Sequence, residues 1–484
     1  MSLSVAFNAA RSSLFSTSSQ IETTARNISG AGQAGTSRKL AITTTMGDGG
    51  ATVISVSRAS DNALFTRMLT ATSHTADKQA LLNGLERLQT TVGDPESDAS
   101  PAARLGALSD ALAQYANMPD DPSIAGEVVV KAQYLATSLN TAADAVHKVR
   151  TDADTAMARS VSRVNDLLKQ FEVENTTVVR GTAIGADVTD AMDRRDTLLA
   201  SLAEEMGVTA ISRGNNDMLI YTDGGATLFE TRPRTVSFTT TPVLTAGMTG
   251  RAVMVDGVSV TGDDATMPLR SGRLVGLAEL RDRTSVVFEN QLDQMAQGLM
   301  SAFAEIDHTG GGAPDMPGLF TDGSGTLPAT STGAASRIAV NPAVDSAQGG
   351  TLTLLRDGGI NGAAYEANAT GAASFADEIR RLHTSVSAVR SFDPAAEIGS
   401  SASLADFGQA SVGWLEGARQ AASTKAESEK ALLAHASDAL SNATGINMDD
   451  EYARQLELER SYQASSKLIA IINDLYDTLL QAVR

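Results

Sequence analysis

Apolar residues near the N-terminus recur at alternating steps of four and three positions. This spacing places them on one face of a helix and is typical of a coiled-coil seam. Asn27 and the glycines Gly30, Gly32 and Gly35 follow the pattern and predict the end of the helix. The seam residues that we predict to form an assembly interface are Leu3, Phe7, Leu14, Ile21 and Ile28.

The C-terminal stretch shows the same alternating step, and it contains neither Gly nor Pro from position 447 onward. Asp449, Asp450 and Glu451 stand at its start, where the helix dipole favours negative charge, so we interpret them as capping residues. The predicted interface residues of this helix are Leu458, Tyr462, Ile469, Ile472, Tyr476, Leu479 and Val483.

Each terminal seam leaves an apolar face half exposed if its helix stands alone, and isolated helices need a packed partner to be stable. The matching periods indicate that the two terminal helices pack on each other, on neighbouring copies, or both. We expect their ordering to be coupled to association between subunits.

Between the termini, helical periodicity predicts helices near 60–92, 101–118, 127–180 and 187–206, and again near 288–306, 374–390 and 401–441. The period changes to two in between, with turn residues separating short strands. The predicted strands are 208–213, 218–222, 227–231, 235–239, 252–255 and 258–261, with weaker ones at 337–340 and 351–356.

These patterns predict a mainly α fold with inserted β structure. A long antiparallel helical bundle has a coiled-coil core formed by the N- and C-terminal helices, and small β domains lie outside it. The predicted units are a terminal coiled-coil assembly domain (1–35 and 447–484), a helical rod-like body (36–206, 269–307 and 373–446), a β domain (207–268) and a Gly/Thr-rich small β unit or surface excursion (308–372).

The charge and composition of the chain exclude several classes of function. The formal net charge is −19, which disfavours binding to nucleic acid or to anionic lipid. The sequence has no Cys, which excludes disulfides and thiolate metal sites. It contains neither a cleavable signal peptide nor an apolar run long enough to enter a membrane, so we expect a cytosolic protein or one exported without such a signal.

Three groups of residues suggest chemistry but have simpler structural explanations. Gly30, Gly32 and Gly35 fit a dinucleotide-binding fingerprint, yet a helix precedes them where a strand is required. Aspartates recur every third position from Asp187 to Asp196, and we expect Asp190 to pair with Arg194 on a helix surface. The five His residues show no metal-pair spacing. We therefore predict no catalytic, cofactor or metal site.

Both ends of the chain resemble bacterial flagellar rod, hook and hook-associated proteins. The N-terminal likeness rests on Asn27, Ile28, Ser29, Gly35, Ser37 and Arg38. The C-terminal likeness rests on 445–451 and on a Tyr-Gln-Ala-Ser core at 462–465. The middle, at 187–199, 207–229, 271–281 and 290–296, looks like the hook-associated protein 1 branch of that family.

This resemblance implies a structural subunit at the junction between the flagellar hook and filament, exported through the flagellar type III apparatus. The implied partners are other copies of the chain, hook protein, the next hook-associated junction protein and an export chaperone. Two alternatives stay open: a flagellar hook or rod protein, and a secreted, flagellum-borne hydrolase with its site in the inserted region.

Overall fold

The computed structural model describes residues 3–33, 35–47, 50–92 and 100–482. The chain runs from an N-terminal helix through a helical body with small β units, and it returns in a C-terminal helix that packs on the first. This architecture confirms the predicted mainly α fold with inserted β structure. The helices are α1 (Leu3–Gly30), α2 (Asn62–Val92), α3 (Pro101–Asn117), α4 (Pro122–Ala183), α5 (Thr189–Glu205), α6 (Arg273–Glu279), α7 (Ser285–Ala302), α8 (Ala334–Arg337), α9 (Leu354–Asp357), α10 (Asp377–Ser387), α11 (Leu404–Thr444) and α12 (Met448–Ala482).

The strands are short and form small antiparallel sheets. They are β1 (Lys39–Thr45), β2 (Ala51–Arg58), β3 (Val208–Ser212), β4 (Met218–Thr222), β5 (Thr227–Phe229), β6 (Val236–Ser237), β7 (Met254–Val255), β8 (Val258–Ser259), β9 (Phe320–Thr321), β10 (Ala339–Val340), β11 (Arg390–Ser391) and β12 (Ser401–Ala402). Single 3-10 turns lie at Gly214–Asn216, Pro342–Val344, Ser346–Gln348, Ala363–Tyr365 and Pro394–Ala396.

The longest helix, α4, has 62 residues and forms the spine of the body. Asp121 caps its start by accepting a hydrogen bond from the amide of Ser123 at 2.8 Å, and Pro122 occupies the first helical position. At 1.5 Å per residue the helix is about 93 Å long. Its buried face is an apolar stripe that shifts by one residue near its middle, which brings Met157 and Val161 into the core.

The apolar core of the body is continuous and contains residues from Leu69 to Ala426. The helix α11 packs along α2, while α3 and α5 pack on α4. Within the part of the chain that the structure describes, α1, α12 and the β1–β2 hairpin add no residue to this core. The terminal elements are therefore held to the body by other contacts.

The predicted strands between 208 and 261 are confirmed, although several are shorter than expected. The sheet β3–β4–β5 pairs Val208 with Thr222 and Ile220 with Phe229, and the sheet β6–β7–β8 has strands of two residues. Asn165 of α4 holds this second sheet, because it donates to the carbonyl of Val236 at 2.8 Å and accepts the amide of Val236 at 3.2 Å. Buried Arg150 of α4 pairs with Glu289 of α7 at 2.7 Å and donates to the carbonyl of Thr245 in the loop after β6.

Residues 308–372 contain more turns and short helices than β structure. The strand predicted at 351–356 is wrong, because the chain turns there and forms α9, which Gly358 ends at a φ of +73°. At 337–340 only β10 is extended, and it pairs with β9. Carboxylates of the body hold this region by accepting hydrogen bonds from its backbone amides. Asp293 accepts from the amides of Gly333 and Ala335, and Glu305 accepts from the amide of Ile360.

The β1–β2 hairpin was not predicted, since the sequence analysis placed these residues in the helical body. Lys39 pairs with Arg58 at its inner end, and Thr45 pairs with Ala51 near its tip. The register shifts between Ile42 and Thr43, which leaves Ile54 as an extra residue in β2. The Thr-rich and β-branched composition of 40–45 and 52–56 was the available sequence signal.

Candidate assembly surface of the terminal helices

The helices α1 and α12 lie antiparallel against each other. Ser13 meets Ser465 through a hydrogen bond of 3.3 Å between their hydroxyls, and Asn27 meets Glu451 at 3.1 Å. Residues late in α1 therefore face residues early in α12. The two predicted seams do pack on each other within one chain.

The contact between these helices uses positions seven residues apart, as a coiled coil requires. On α12 the buried positions are Glu451, Leu458, Ser465 and Ile472. On α1 they include Ala10, Thr17 and Thr24, with further polar residues beside them. The buried side chains of α1 are small and largely polar, so this seam holds less apolar surface than the sequence pattern suggested.

The predicted interface residues divide into three groups by exposure. Leu458 and Ile472 are buried between the helices. Tyr462 and Leu479 are exposed, and Val483 lies outside the described residues. The remaining residues are half-buried at the edges of the seam: Leu3, Phe7, Leu14, Ile21, Ile28, Ile469 and Tyr476.

A second apolar stripe runs along α12 beside the positions that are buried against α1. Its members, Leu468, Ile471, Leu475 and Leu479, each keep 49–55% of their surface exposed. Steps of three, four and four residues bring them to one side of the helix over about 16 Å. Apart from Leu479, these residues were not predicted to form an interface. The available signal was a run of adjacent apolar pairs, such as Ile471 beside Ile472, which gives one helix two apolar faces.

The terminal helices join the body through a cluster of ion pairs, here named the ionic joint. Arg26, Lys39 and Arg58 provide its positive charges. Its four aspartates are Asp187, two residues before α5, and Asp190, Asp193 and Asp196 in the first turns of α5. The pairs are Arg26–Asp187 at 2.7 Å, Arg26–Asp190 at 2.9 Å, Lys39–Asp190 at 2.7 Å, Lys39–Asp193 at 3.3 Å, Arg58–Asp193 at 3.0 Å and Arg58–Asp196 at 2.7 Å.

Asp193 lies at the centre of the joint. Besides its two cations, it accepts hydrogen bonds from the amide of Ser37 at 3.2 Å and from the hydroxyl of Ser37 at 2.6 Å. The turn before Ser37 includes Gly35 at a φ of +82°, where an added Cβ would lie 2.4 Å from the hydroxyl of Thr197. The glycines thus end α1, as predicted, and the turn at Gly35 also packs on α5, which was not predicted.

Glu451 extends this polar contact to the start of α12. It is buried, pairs with Arg38 at 2.7 Å and accepts a hydrogen bond from the side chain of Asn27. The side chain of Asn27 also donates to the carbonyl of Lys39 at 2.9 Å and accepts a hydrogen bond from the amide of Lys39 at 2.8 Å. The capping interpretation was therefore incomplete, because Asn447 caps the amide of Asp449 while Glu451 turns inward.

The predicted pair between Asp190 and Arg194 is wrong. Arg194 forms a two-pronged pair with Glu174 of α4, at 2.8 and 2.9 Å, and Asp190 binds Lys39 and Arg26. Residues distant in sequence offered each side chain a better-placed partner than the neighbour four positions away.

The electrostatics of the joint favour ionised aspartates at its rim. The hydrogen bond that Lys39 donates to Asp190 lowers the pKa of Asp190, and the hydrogen bond that Arg26 donates to Asp187 raises the pKa of Arg26. Asp196 differs, because burial raises its pKa despite the opposing charge of Arg58. One oxygen of Asp196 has no hydrogen-bond partner, which agrees with that desolvation.

Two further properties bear on what these surfaces can do. Across the described ranges, no group of three or more His, Asp or Glu is arranged to hold a metal ion. No helix within those same ranges combines the length and the apolarity needed to cross a bilayer. The features that stand out are thus an exposed apolar stripe and a polar connection to the body.

Two family models match the chain. Residues 85–319 match the helical domain of flagellar hook-associated protein FlgK. Residues 439–482, which include all of α12, match the C-terminal region of the flagellar basal body rod FlgEFG proteins. The two matches fall on the body and on the helix with the exposed stripe.

Individual relatives agree with the family models. Flagellar hook-associated protein 1 of Salmonella typhimurium is 23% identical over 321 residues, which cover 64% of this chain and 57% of that protein. The protein of the same name from Salmonella typhi matches equally well. The match thus spans little more than half the length of these relatives.

Among solved structures, the flagellar hook junction protein FlgK from Burkholderia pseudomallei matches with a TM-score of 0.43 and 19% identity, over 53% of this chain and 46% of that one. The sequence matches carry the likeness: residues 85–319 are similar to the helical domain of flagellar hook-associated protein FlgK, and the C-terminal helix is similar to that of the flagellar rod proteins.

Proposed function

We propose that the chain is a structural subunit that joins the flagellar hook to the filament and assembles through its terminal helices. The observation that carries the proposal is the exposed stripe of α12. One face of this helix already packs on α1, so the stripe is free to bind a neighbouring subunit.

The size of the stripe is appropriate for such a contact. Fully burying one Leu or Ile contributes about 1.5–3 kcal/mol, so covering four half-exposed residues contributes about 4 kcal/mol for each copy. That gain is too small to hold two isolated subunits together, since association has its own entropic cost. Repeated around a ring of copies, with each subunit touching two neighbours, it supports a stable assembly.

We also infer that the domains of the chain occupy different radial positions in the assembly. The terminal assembly domain (1–35 and 447–484) lies innermost, the helical body surrounds it, and the β units at 207–268 and 308–372 lie outermost. The partners are other copies, hook protein on one side and the next hook-associated junction protein on the other. Before assembly, an export chaperone covers the stripe, and the flagellar type III apparatus carries the chain to the outside of the cell.

Two adjacent residues on α12 provide a matched test. Ile471 belongs to the exposed stripe, whereas Ile472 is buried against α1. Ile471→Asp should prevent incorporation onto purified hooks while leaving the helix content and the melting of the monomer unchanged. Ile472→Asp should loosen the α1–α12 pair in the monomer itself. Normal incorporation of the Ile471→Asp protein would refute the proposal.

A hook or rod protein is the second candidate, because the match at 439–482 is to rod proteins. Electron microscopy of a strain lacking the gene distinguishes the two functions. Bare hooks, with filament protein lost to the medium, support the junction function. Missing hooks support a hook or rod protein. The family consists of structural flagellar components, and we propose no enzymatic role.

A further inference from the structure

Among the residues that the structure describes, the ion pairs that fix the β1–β2 hairpin to its own chain lie at its inner end. Lys39 and Arg58 belong to the ionic joint, α1 packs on both strands, and α5 packs on β2. The outer half of the hairpin, residues 42–46 and 51–55, extends beyond this support. Ile42, Met46 and Ile54 are exposed there, and Ile54 keeps 61% of its surface in solvent.

Both long edges of the hairpin are open. Within the described part of the chain, no backbone hydrogen bond joins residues 40–45 or 52–57 to a third segment. Two-stranded sheets are marginally stable alone. Soluble proteins usually protect such edges with charged residues or Pro. Neither type occurs at 40–46 or 51–57, which are rich in Thr, Val and Ile.

We propose that the outer half of this hairpin is a docking surface for a second copy of the chain, which extends the two-stranded sheet along an open edge. The inference rests on the proposed self-assembly and assigns it a second contact besides the stripe of α12. A strand that pairs edge-on recognises mainly backbone, so an identical hairpin or another extended segment of the neighbour fits it.

Two observations favour another copy as the occupant. The chain carries a net charge of −19, so copies repel each other over most of their surface, but the strands of the outer hairpin are uncharged and permit close approach. The hairpin is also continuous with the terminal helices, since Leu40 and Ala41 share a crevice with Thr24 of α1 and Glu451 of α12. A neighbour seated on the terminal helices therefore lies within reach of the hairpin.

The test compares polymerisation of the full chain onto purified hooks for three proteins. Wild type is compared with a double variant, Ile42→Lys with Ile54→Lys, and with a control, Val173→Lys, at an exposed apolar position on α4. The double variant should raise the concentration needed for assembly by at least about tenfold, because the new charges must be desolvated at the contact. The control should match wild type.

Crosslinking gives a second measurement that does not depend on the double variant folding normally. The chain has no Cys, so Thr44→Cys introduces a single attachment point for a thiol-reactive photocrosslinker. Crosslinks between copies should form in the assembled state and not in the dilute monomer. Assembly of Thr44→Cys without crosslinks, or equal assembly of the double variant and wild type, overturns the hairpin proposal alone. Failure of wild type to assemble overturns the proposed function and the hairpin proposal together.

Discussion

Asp193 offers the sharpest perturbation of the ionic joint. Its carboxylate is nearly completely buried, with 7% of the side chain exposed, and it binds Lys39, Arg58 and both polar groups of Ser37. Asp193→Asn keeps the shape of the side chain but removes the charge, and it turns an amide NH₂ toward groups that are themselves donors. The variant therefore loses two ion pairs and at least one hydrogen bond.

The expected cost follows from these contacts. Removing one partner of a buried ion pair costs about 3–5 kcal/mol. Here Lys39 keeps Asp190 and Arg58 keeps Asp196, so neither cation is left unpaired. We therefore expect a cost near the lower end of that range, about 3 kcal/mol. Because the described residues of the terminal elements share no apolar core with the body, the loss should appear as local detachment and not as global unfolding.

Amide hydrogen exchange followed by mass spectrometry measures this directly. In the Asp193→Asn protein, peptides from the hairpin and from residues 20–33 should exchange faster by a factor of about 100, which corresponds to about 3 kcal/mol. Peptides from α4 and α11 should be unchanged. Asp190→Asn is the matched control on the same helix, since Asp190 is 56% exposed and its pairs contribute less than about 1 kcal/mol. Equal exchange in both variants, or faster exchange throughout the body, would refute this account of the joint.

Three further predictions concern stability and local geometry. Ser403 caps α11 by accepting the amide of Asp406 at 3.1 Å, so Ser403→Ala should lower the free energy of unfolding in urea by about 1 kcal/mol; no change would mean that the cap is dispensable. Burial raises the pKa of Asp293 from 3.8 to about 6, so the folded state binds this proton more tightly than the unfolded chain, and the stability from this group is present below pH 4 and is lost as the pH rises through 6. The stability of Asp293→Asn relative to wild type should therefore rise by about 3 kcal/mol between pH 4 and pH 7, and a difference independent of pH would contradict the burial argument. Gly35→Ala should speed exchange in the 31–41 segment, because the new methyl group meets Thr197 and the backbone has a positive φ; unchanged exchange would show that the turn relaxes freely.

The sequence predicted the long helices well because their periodicity persists over many turns. In α4 the apolar stripe continues from Val128 to Val178, and no Pro follows the first position. The strands near 208–222 were equally clear, since turn residues separate them. Short elements were harder to predict from the sequence. The chain at 351–356 has two adjacent leucines that fit a strand or a helix, and only the glycine at 358 and tertiary packing decide between them.

The candidate site was predicted in part. Heptad spacing identified Leu458 and Ile472, which are buried between the terminal helices. Heptad spacing did not identify the exposed stripe of α12, because Leu468 and Leu475 fall outside the single seam that this spacing defines. The ionic joint could not be predicted from local patterns, since Lys39 and Asp193 are 154 positions apart and meet only when the helices pack. The uncharged strands of the hairpin were visible in the sequence, but their importance depends on the open edges that the fold reveals.

Hydrogen exchange of α12 before and after the full chain is added to purified hooks tests the central claim most directly. We predict that amides near Leu468, Ile471 and Leu475 exchange readily in the dilute chain, because one face of this helix is uncovered, and become strongly protected on assembly. Strong protection of these amides already in the dilute chain, with no binding to hooks, would contradict the account.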